Sequence, residues 1–332
     1  MINAKARYLL ARTLGLALAL GWPGAQALAA GSGHLFVSSE DDNVVVVLEG
    51  GTLKKVKEIP TAQRPRGMHF SPDRKLLYVA CGDGDAVDVI DVEALEVVNQ
   101  LDVGDDPETF DLSPDGKVMY VSNEDDAMMT AFDLESEKQI GAVDVGPEPE
   151  GVLATPDGKT VYVTSEVASM VHVVDAGSLE LTNNIVVGAR PRRFALTPDG
   201  KYLWVTSEID GSVSIIDTTT HEVVDKIAFE PEGFRAEDIT PVGIEMTKDG
   251  ATAFVALGGA NHVAVVDVEG MDVEDYILVG ERPWNLELTA DEQTLFVVNG
   301  LSDDISVIDV EALEVTRSVP VARVPYGVAI DD

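Results

Sequence analysis

Cys81 is the chain's one cysteine, so no intramolecular disulfide can form, and the thiol reads as a partly buried structural group rather than a nucleophile. Histidine is also scarce, at five residues, and no CxxCH, zinc-type Cys/His spacing, P-loop, HExxH or GxSxG stretch occurs. That excludes covalent haem, a motif-borne zinc site, a phosphate loop and a nucleophile elbow. Cations are few: 23 Lys and Arg stand against 59 Asp and Glu, a formal charge of −36. Nucleic acid and anionic membrane surfaces are poor partners for such a chain, and the excess reads most simply as a solvated surface.

Long apolar runs are missing too. The run at 14–20 is shorter than the roughly 20 residues a membrane-spanning helix needs. It follows Lys5, Arg7 and Arg12 and precedes the small residues Ala25-Gln-Ala27 and Ala27-Leu-Ala29, the layout of a secretory signal peptide. Residues 1–30 are therefore expected to be removed and the protein exported to the periplasm. Losing three cations and no anions takes −36 to −39.

What is present is a repeat. Pro65, Pro107, Pro149, Pro191, Pro241, Pro283 and Pro325 are spaced by 42, 42, 42, 50, 42 and 42 residues. Each unit carries a short apolar stretch, an SPDG-like turn, a strand ending near YV, a loop, a VxVID-like strand and a last alternating strand. Helical periodicity is absent, and four short strands per unit of this length predict a β-propeller. Six complete units run from Pro65 to Val324. PYGVAI at 325–330 joins three strands within 33–64 to make one more blade, so an all-β, seven-bladed ring over residues 31–332 is expected, closed by strands from both ends. The aspartates closing each third strand, Asp91, Asp133, Asp175, Asp217, Asp267 and Asp309, with Glu49 in register, read as caps of turn donors.

In such a ring the links from one blade's last strand to the next blade's first cross one face toward the central funnel. Eight of the ten arginines beyond residue 30 fall in or beside these links: Arg64, Arg66, Arg190, Arg192, Arg193, Arg235, Arg282 and Arg323. Trp284 and Tyr326 follow their link prolines directly. Links two and three are instead acidic, Asp105-Asp-Pro-Glu108 and Glu148-Pro-Glu150, so the sequence predicts an arginine arc facing an acidic sector. Either the arginines pair with neighbouring carboxylates and hold blades together, or the arc binds an anion, to which planar guanidinium groups are suited. The eight extra residues of the 50-residue unit, between Phe229 and Pro241, suggest an extended link over the funnel with Phe234 and Arg235 as lid residues. Four residues after each proline stand His69, Asp111, Glu245 and Glu287 among others, a set at the channel wall that reads either as a weak cation site or as a polar, water-filled channel. Glu40, Glu124, Glu166 and Glu208, in the loops between second and third strands, are assigned to the acidic outer rim.

The pattern YVxN or YVTS, then VxVID, then a VGxRP link resembles the YVTN family of β-propellers. RPRRFALTPDGKYLWVTSEIDGSVSIID at 190–217, AFVALGGANHVAVVD at 253–267 and YILVGERPWNLELTADEQTLFVVNGLSDDISVID at 276–309 are similar to the PQQ-dependent catabolism-associated propeller proteins within it. The resemblance implies a periplasmic setting beside quinoprotein dehydrogenases that use pyrroloquinoline quinone, and it brings no catalytic residues. A non-catalytic accessory protein is then expected, binding that planar tricarboxylate, another anionic small molecule or an acidic partner surface through the arginines, with no covalently bound cofactor. The alternative is a lactonase- or lyase-like enzyme at the funnel, with His69 and Glu245 or Glu287 as acid and base.

Overall fold

A computed structural model describes residues 31–332; the leader expected at 1–30 lies outside the described residues. Seven four-stranded antiparallel sheets form the ring as expected. Blade one runs Pro65–Leu101, blade two Pro107–Asp144, blade three Pro149–Val186, blade four Pro191–Ala228, blade five Pro241–Leu278 and blade six Pro283–Pro320. Blade seven is built from both ends, its strand β28 (Pro325–Asp331) pairing antiparallel with β1 (His34–Ser39), which continues to β2 (Val44–Glu49) and β3 (Lys55–Pro60). Among the described residues, no helix is long and apolar enough to cross a membrane.

Local chemistry accounts for the strand boundaries. In every SPDG-like turn the first hydroxyl donates to the third residue's aspartate, as in Ser113 Oγ to Asp115 Oδ1 at 2.7 Å and Thr197 Oγ1 to Asp199 Oδ1 at 2.7 Å. The fourth residue has positive φ, from 67° to 70° at Gly116, Gly158, Gly200 and Gly250, which glycine adopts without cost. The third-strand aspartates do cap turn donors: Asp91 Oδ1 accepts from the amides of Glu93 and Ala94, and Asp217 Oδ1 from those of Thr219 and Thr220. Side chains of alternating strand positions fill seven apolar clusters, one between each pair of neighbouring blades. Trp204 and Phe254 are fully buried in two of them, so the ring is held by packing between blades.

The links are tight. The residue before each link proline has φ between 44° and 60° in six of the seven blades, at Arg64, Asp106, Glu148, Arg190, Arg282 and Val324. A left-handed conformation costs an L-residue about 1–2 kcal/mol. It is held by the preceding loop, whose Asn43, Asn261 and Asp303 side chains accept the amide hydrogens of Arg64, Arg282 and Val324 at 2.9–3.0 Å. Val324 is β-branched and tolerates this least. Val324→Asn should raise stability by about 1 kcal/mol, read as a higher urea midpoint; an unchanged or lower midpoint would show that no strain is stored there.

Candidate functional site

The residue after each link proline is the second of its inner strand, giving a ring of Arg66, Glu108, Glu150, Arg192, Val242, Trp284 and Tyr326. Its members bond to one another. Arg66 pairs with Glu108 and lies over the Tyr326 ring, 4.2 Å from the centroid. Tyr326 packs on Trp284 at 5.5 Å, and its hydroxyl donates to Glu150 Oε1 at 3.0 Å. Arg192, 3% exposed, is caged by Glu150 at 3.4 Å, by Glu166 and by Glu208 at 3.7 Å. Arg193 stands where blades one, three, five and seven have Gly67, Gly151, Gly243 and Gly327. A Cβ at Gly243 or Gly327 would lie 2.5 Å from the next blade's backbone. Arg193 sends its side chain to Glu150 at 2.7 Å and to the Tyr326 hydroxyl.

The expected geometry of an arginine arc opposite an acidic sector is therefore not what forms. Carboxylates interleave with the arginines, because seven inner strands converge closely enough for one blade's side chain to reach its neighbours' and, at Tyr326 and Glu150, a blade across the ring. Glu40, Glu166 and Glu208 are not outer-rim groups: Glu40 forms an ion pair with Arg66, 2.9 Å from its Nε, Glu166 one with Arg190, 2.6 Å from its Nε, and Glu208 bonds Arg282 at 2.5 Å. Glu124 reaches Arg64 at 3.9 Å. The loop positions were visible in the repeat, but the inward direction of their side chains was not. Burial works to raise the Glu150 carboxyl, yet Arg192, Arg193 and Arg66 hold it well below the usual carboxylate range. Burial lifts Glu166 to about 7 against the pull of Arg192, with the Glu150 charge adding to the rise.

Arg190 differs from the rest. Its Nε faces Glu166 and Glu208, but among the described residues its two terminal nitrogens have no hydrogen-bond partner, and the side chain is 42% exposed. In Arg64, Arg192 and Arg193 both terminal nitrogens are engaged, and in Arg282 they bond Thr240 and Glu208. Arg282 also lies over Trp284, 4.3 Å from the ring centroid.

Two expected residues join no other arginine. Arg235 pairs with Glu237 and Asp238 of its own link, and Arg323 with Asp41 and Asp42 on the rim of blade seven. The extended link does not span the funnel. Phe229 and Ile239 are buried, Phe234 packs on His262 at 5.4 Å, and the Glu230 amide donates to the Tyr276 hydroxyl at 2.7 Å, so its apolar residues cover blade five instead.

The four channel residues fall into pairs. His69 Nε2 is 3.6 Å from Asp111, whose other oxygen accepts from the Ala154 amide at 2.8 Å. Burial lifts Glu245 to about 7, with the charge of Glu292 adding; burial also lifts Glu287 well above the ordinary range, with Glu245 adding. His69 thus has Asp111 as its ionic neighbour rather than either glutamate. Among the described residues, the carboxylates spaced to hold a cation are instead Asp106, Glu108 and Glu124, and the Arg64 guanidinium already stands among them.

The Glu245 shift has a testable sign. Its folded pKa, about 7, lies above the ordinary 4.5, so stability present at low pH is lost as pH rises between these values. Glu245→Gln should match the parent at pH 4 and exceed it by about 1–3 kcal/mol at pH 8 in urea unfolding; equal stabilities at both would rule out the buried charge.

Comparison with known proteins adds fold and little more. The profile described as "Lactonase, 7-bladed beta-propeller" matches residues 177–330, and that described as "Cytochrome D1 heme domain" matches 30–146. No curated protein matches the sequence significantly. Among solved structures, hydrazine synthase of Kuenenia stuttgartiensis superposes with a TM-score of 0.75 at 22% identity, covering 88% of this chain and 99% of that one. The periplasmic gluconolactonase of Pseudomonas aeruginosa gives 0.76 at 17% identity, covering 90% and 99%. A putative 6-phosphogluconolactonase of Bacteroides uniformis gives 0.75 at 17%, covering 90% and 98%. At these identities the likeness is one of architecture, and the chain is a seven-bladed β-propeller with lactonase-like structural neighbours.

Proposed function

We propose that the protein is a lactonase-like enzyme that works at the channel mouth, outside the cytoplasm, on a lactone bearing a phosphate or carboxylate. The observation that carries this reading is the uncommitted fork of Arg190, two parallel donors held at the mouth by Glu166 and Glu208 behind them. Arg190 anchors the substrate anion. Glu208, between Arg190 at 3.3 Å and Arg282 at 2.5 Å, takes a proton from water as that water adds to the lactone carbonyl. The ring C–O bond then breaks, and the proton goes to the leaving oxygen. Arg282 stands beside the developing oxyanion. The lactonase profile, at 177–330, spans all three residues, which supports the assignment.

The test is hydrolysis of 6-phosphogluconolactone and of gluconolactone followed by acid release. Saturable turnover is expected. Arg190→Ala should lower kcat/KM for the phosphorylated lactone about 10²-fold, the worth of a charge-assisted bidentate contact, and affect the neutral one far less. Glu208→Gln should remove both activities. Rates no greater than spontaneous opening, or indifferent to both substitutions, would sink the enzymatic reading.

One observation favours a second reading, the accessory role. Arg282 stacked on Trp284 at 4.3 Å makes a flat cationic surface of the kind a planar quinone would lie on. In that case pyrroloquinoline quinone, or carboxylates of a quinoprotein dehydrogenase, would take the Arg190 fork. The charge balance weighs against a trianion: six channel arginines contact eight carboxylates, Glu40, Asp83, Asp106, Glu108, Glu124, Glu150, Glu166 and Glu208. Arg190-dependent quinone binding without lactone turnover would select the accessory role.

A further inference from the structure

The loops between second and third strands stand on the link face in strict register. The first loop residue is tied to the carbonyl before the link proline, as in Glu40 N to Val324 O at 3.0 Å, Glu166 N to Glu148 O at 2.9 Å and Glu208 N to Arg190 O at 2.8 Å. The second residue is thereby held at the loop tip. Around the ring the tips read Asp41, Asp83, Asp125, Val167, Ile209, Gly259 and Leu301. Three consecutive blades present aspartate, and three of the other four present a large aliphatic side chain.

The aliphatic tips are not scattered surface residues. Val167, Ile209 and Leu301, with Val186 and Leu278 at the link-face ends of outer strands, are the five most exposed large apolar side chains among the described residues, at 61–68%. All five lie on this one face, on blades three to six. The remaining exposed apolar residues lie along outer strands, where Val56, Val98 and Ile140 are 48–54% exposed.

The aspartate half is as distinct. Asp125 and Asp126 stand near Asp105 and Asp85, and their repulsion raises the Asp105 pKa, with Asp126 contributing most. The tip loops contain no lysine, whereas the turns of the opposite face carry Lys75, Lys117, Lys159, Lys201 and Lys248 beside their aspartates. Two arginines stand on the acidic side and are outnumbered there: Arg323 pairs with Asp41 at 3.6 Å and Asp42 at 2.7 Å, and Arg64 with Asp83 at 3.0 Å. Between blades seven and one, Glu40, Asp41, Asn43, Gln63, Arg64 and Asp83 line an open cavity of about 380 Å³.

We propose that the link face is a docking surface for a basic protein, whose lysine or arginine patch meets the Asp41, Asp83 and Asp125 sector while an adjoining apolar patch covers Val167, Ile209 and Leu301. A second copy of this chain does not fit, because a two-fold axis that lays apolar tips on apolar tips also lays aspartates on aspartates. A partner seated on both halves caps the channel mouth. The proposal is independent of any reaction at Arg190, since it rests on the rim.

The probe is a 14-residue amphipathic Lys/Leu peptide, with oligolysine of equal charge as reference, titrated by fluorescence anisotropy at two salt concentrations. The Lys/Leu peptide should bind at least tenfold more tightly than oligolysine. The Val167→Ser, Ile209→Ser, Leu301→Ser triple variant should erase that advantage, and Asp41→Asn, Asp83→Asn, Asp125→Asn should flatten the salt dependence. Aspartate changes on the opposite face, at Asp115, Asp157 and Asp199, should do neither. Equal affinity for both peptides, or an advantage that survives the serine variant, overturns the proposal. So does a parent dimer that the serine variant converts to monomer, since the face would then be a self-interface.

Discussion

Arg192→Met should cost about 3–5 kcal/mol of unfolding free energy, the range for breaking a buried ion pair from one side. The guanidinium is 3% exposed and stands among Glu150, Glu166 and Glu208, none more than 6% exposed. Methionine fills the volume and leaves Glu166, already lifted to about 7 by burial, without one of its two arginines. The parent and the variant should therefore draw closer as pH falls through about 7, where that carboxylate takes up a proton and no longer needs a partner, while Glu150, which stays ionised, keeps part of the difference. Urea titrations at pH 8 and pH 5 measure both effects. A loss under 1 kcal/mol at pH 8, or one that does not shrink with acid, would mean that the cage is structurally idle.

A chain ending at Val324 should fail to give a cooperative unfolding transition. It lacks β28, whose Tyr326 is fully buried and whose Val328, Ala329 and Ile330 are 6–8% exposed. Burying each large side chain is worth about 1.5–3 kcal/mol, so the loss rivals the 5–15 kcal/mol by which whole proteins are stable. Two polar anchors go with it: Asp331, which accepts from the Ser32 amide at 2.6 Å and from Arg74 Nε at 2.9 Å, and Gly327 N, which donates to Ser38 Oγ at 2.8 Å. A synthetic 325–332 peptide added in excess should restore part of the transition. A truncated monomer that melts cooperatively within a few degrees of the parent would contradict this account.

The architecture was legible because it is written in backbone chemistry. The proline ruler marked the start of each first strand, and SPDG and the third-strand aspartates marked turns whose hydrogen bonds are local. The 50-residue unit was equally plain in length and misread in direction, since Phe229, Phe234 and Ile239 find apolar cover on blade five that no local pattern reveals. At the channel mouth the repeat gave positions without partners. Arg192 and Glu166 are 26 residues apart, and Glu150 and Tyr326 are 176 apart; their contact depends on how sharply seven inner strands converge. Arg190 was one arginine among eight in sequence. Its distinction, an unengaged fork, exists only once its neighbours' partners have been assigned.

The pairing of β28 with β1 carries a kinetic consequence. His34 and Asp331 are register partners separated by nearly the whole chain, so the contact that completes blade seven has the highest loop-closure cost in the molecule. β1 is synthesised before every other described strand and is paired on that edge last. Until residues 325–331 arrive, an apolar edge containing Leu35, Phe36 and Val37 stays open to any strand that meets it, including the same strand of a sister chain. Refolding yield should therefore be limited by protein concentration rather than by the stability of the finished ring.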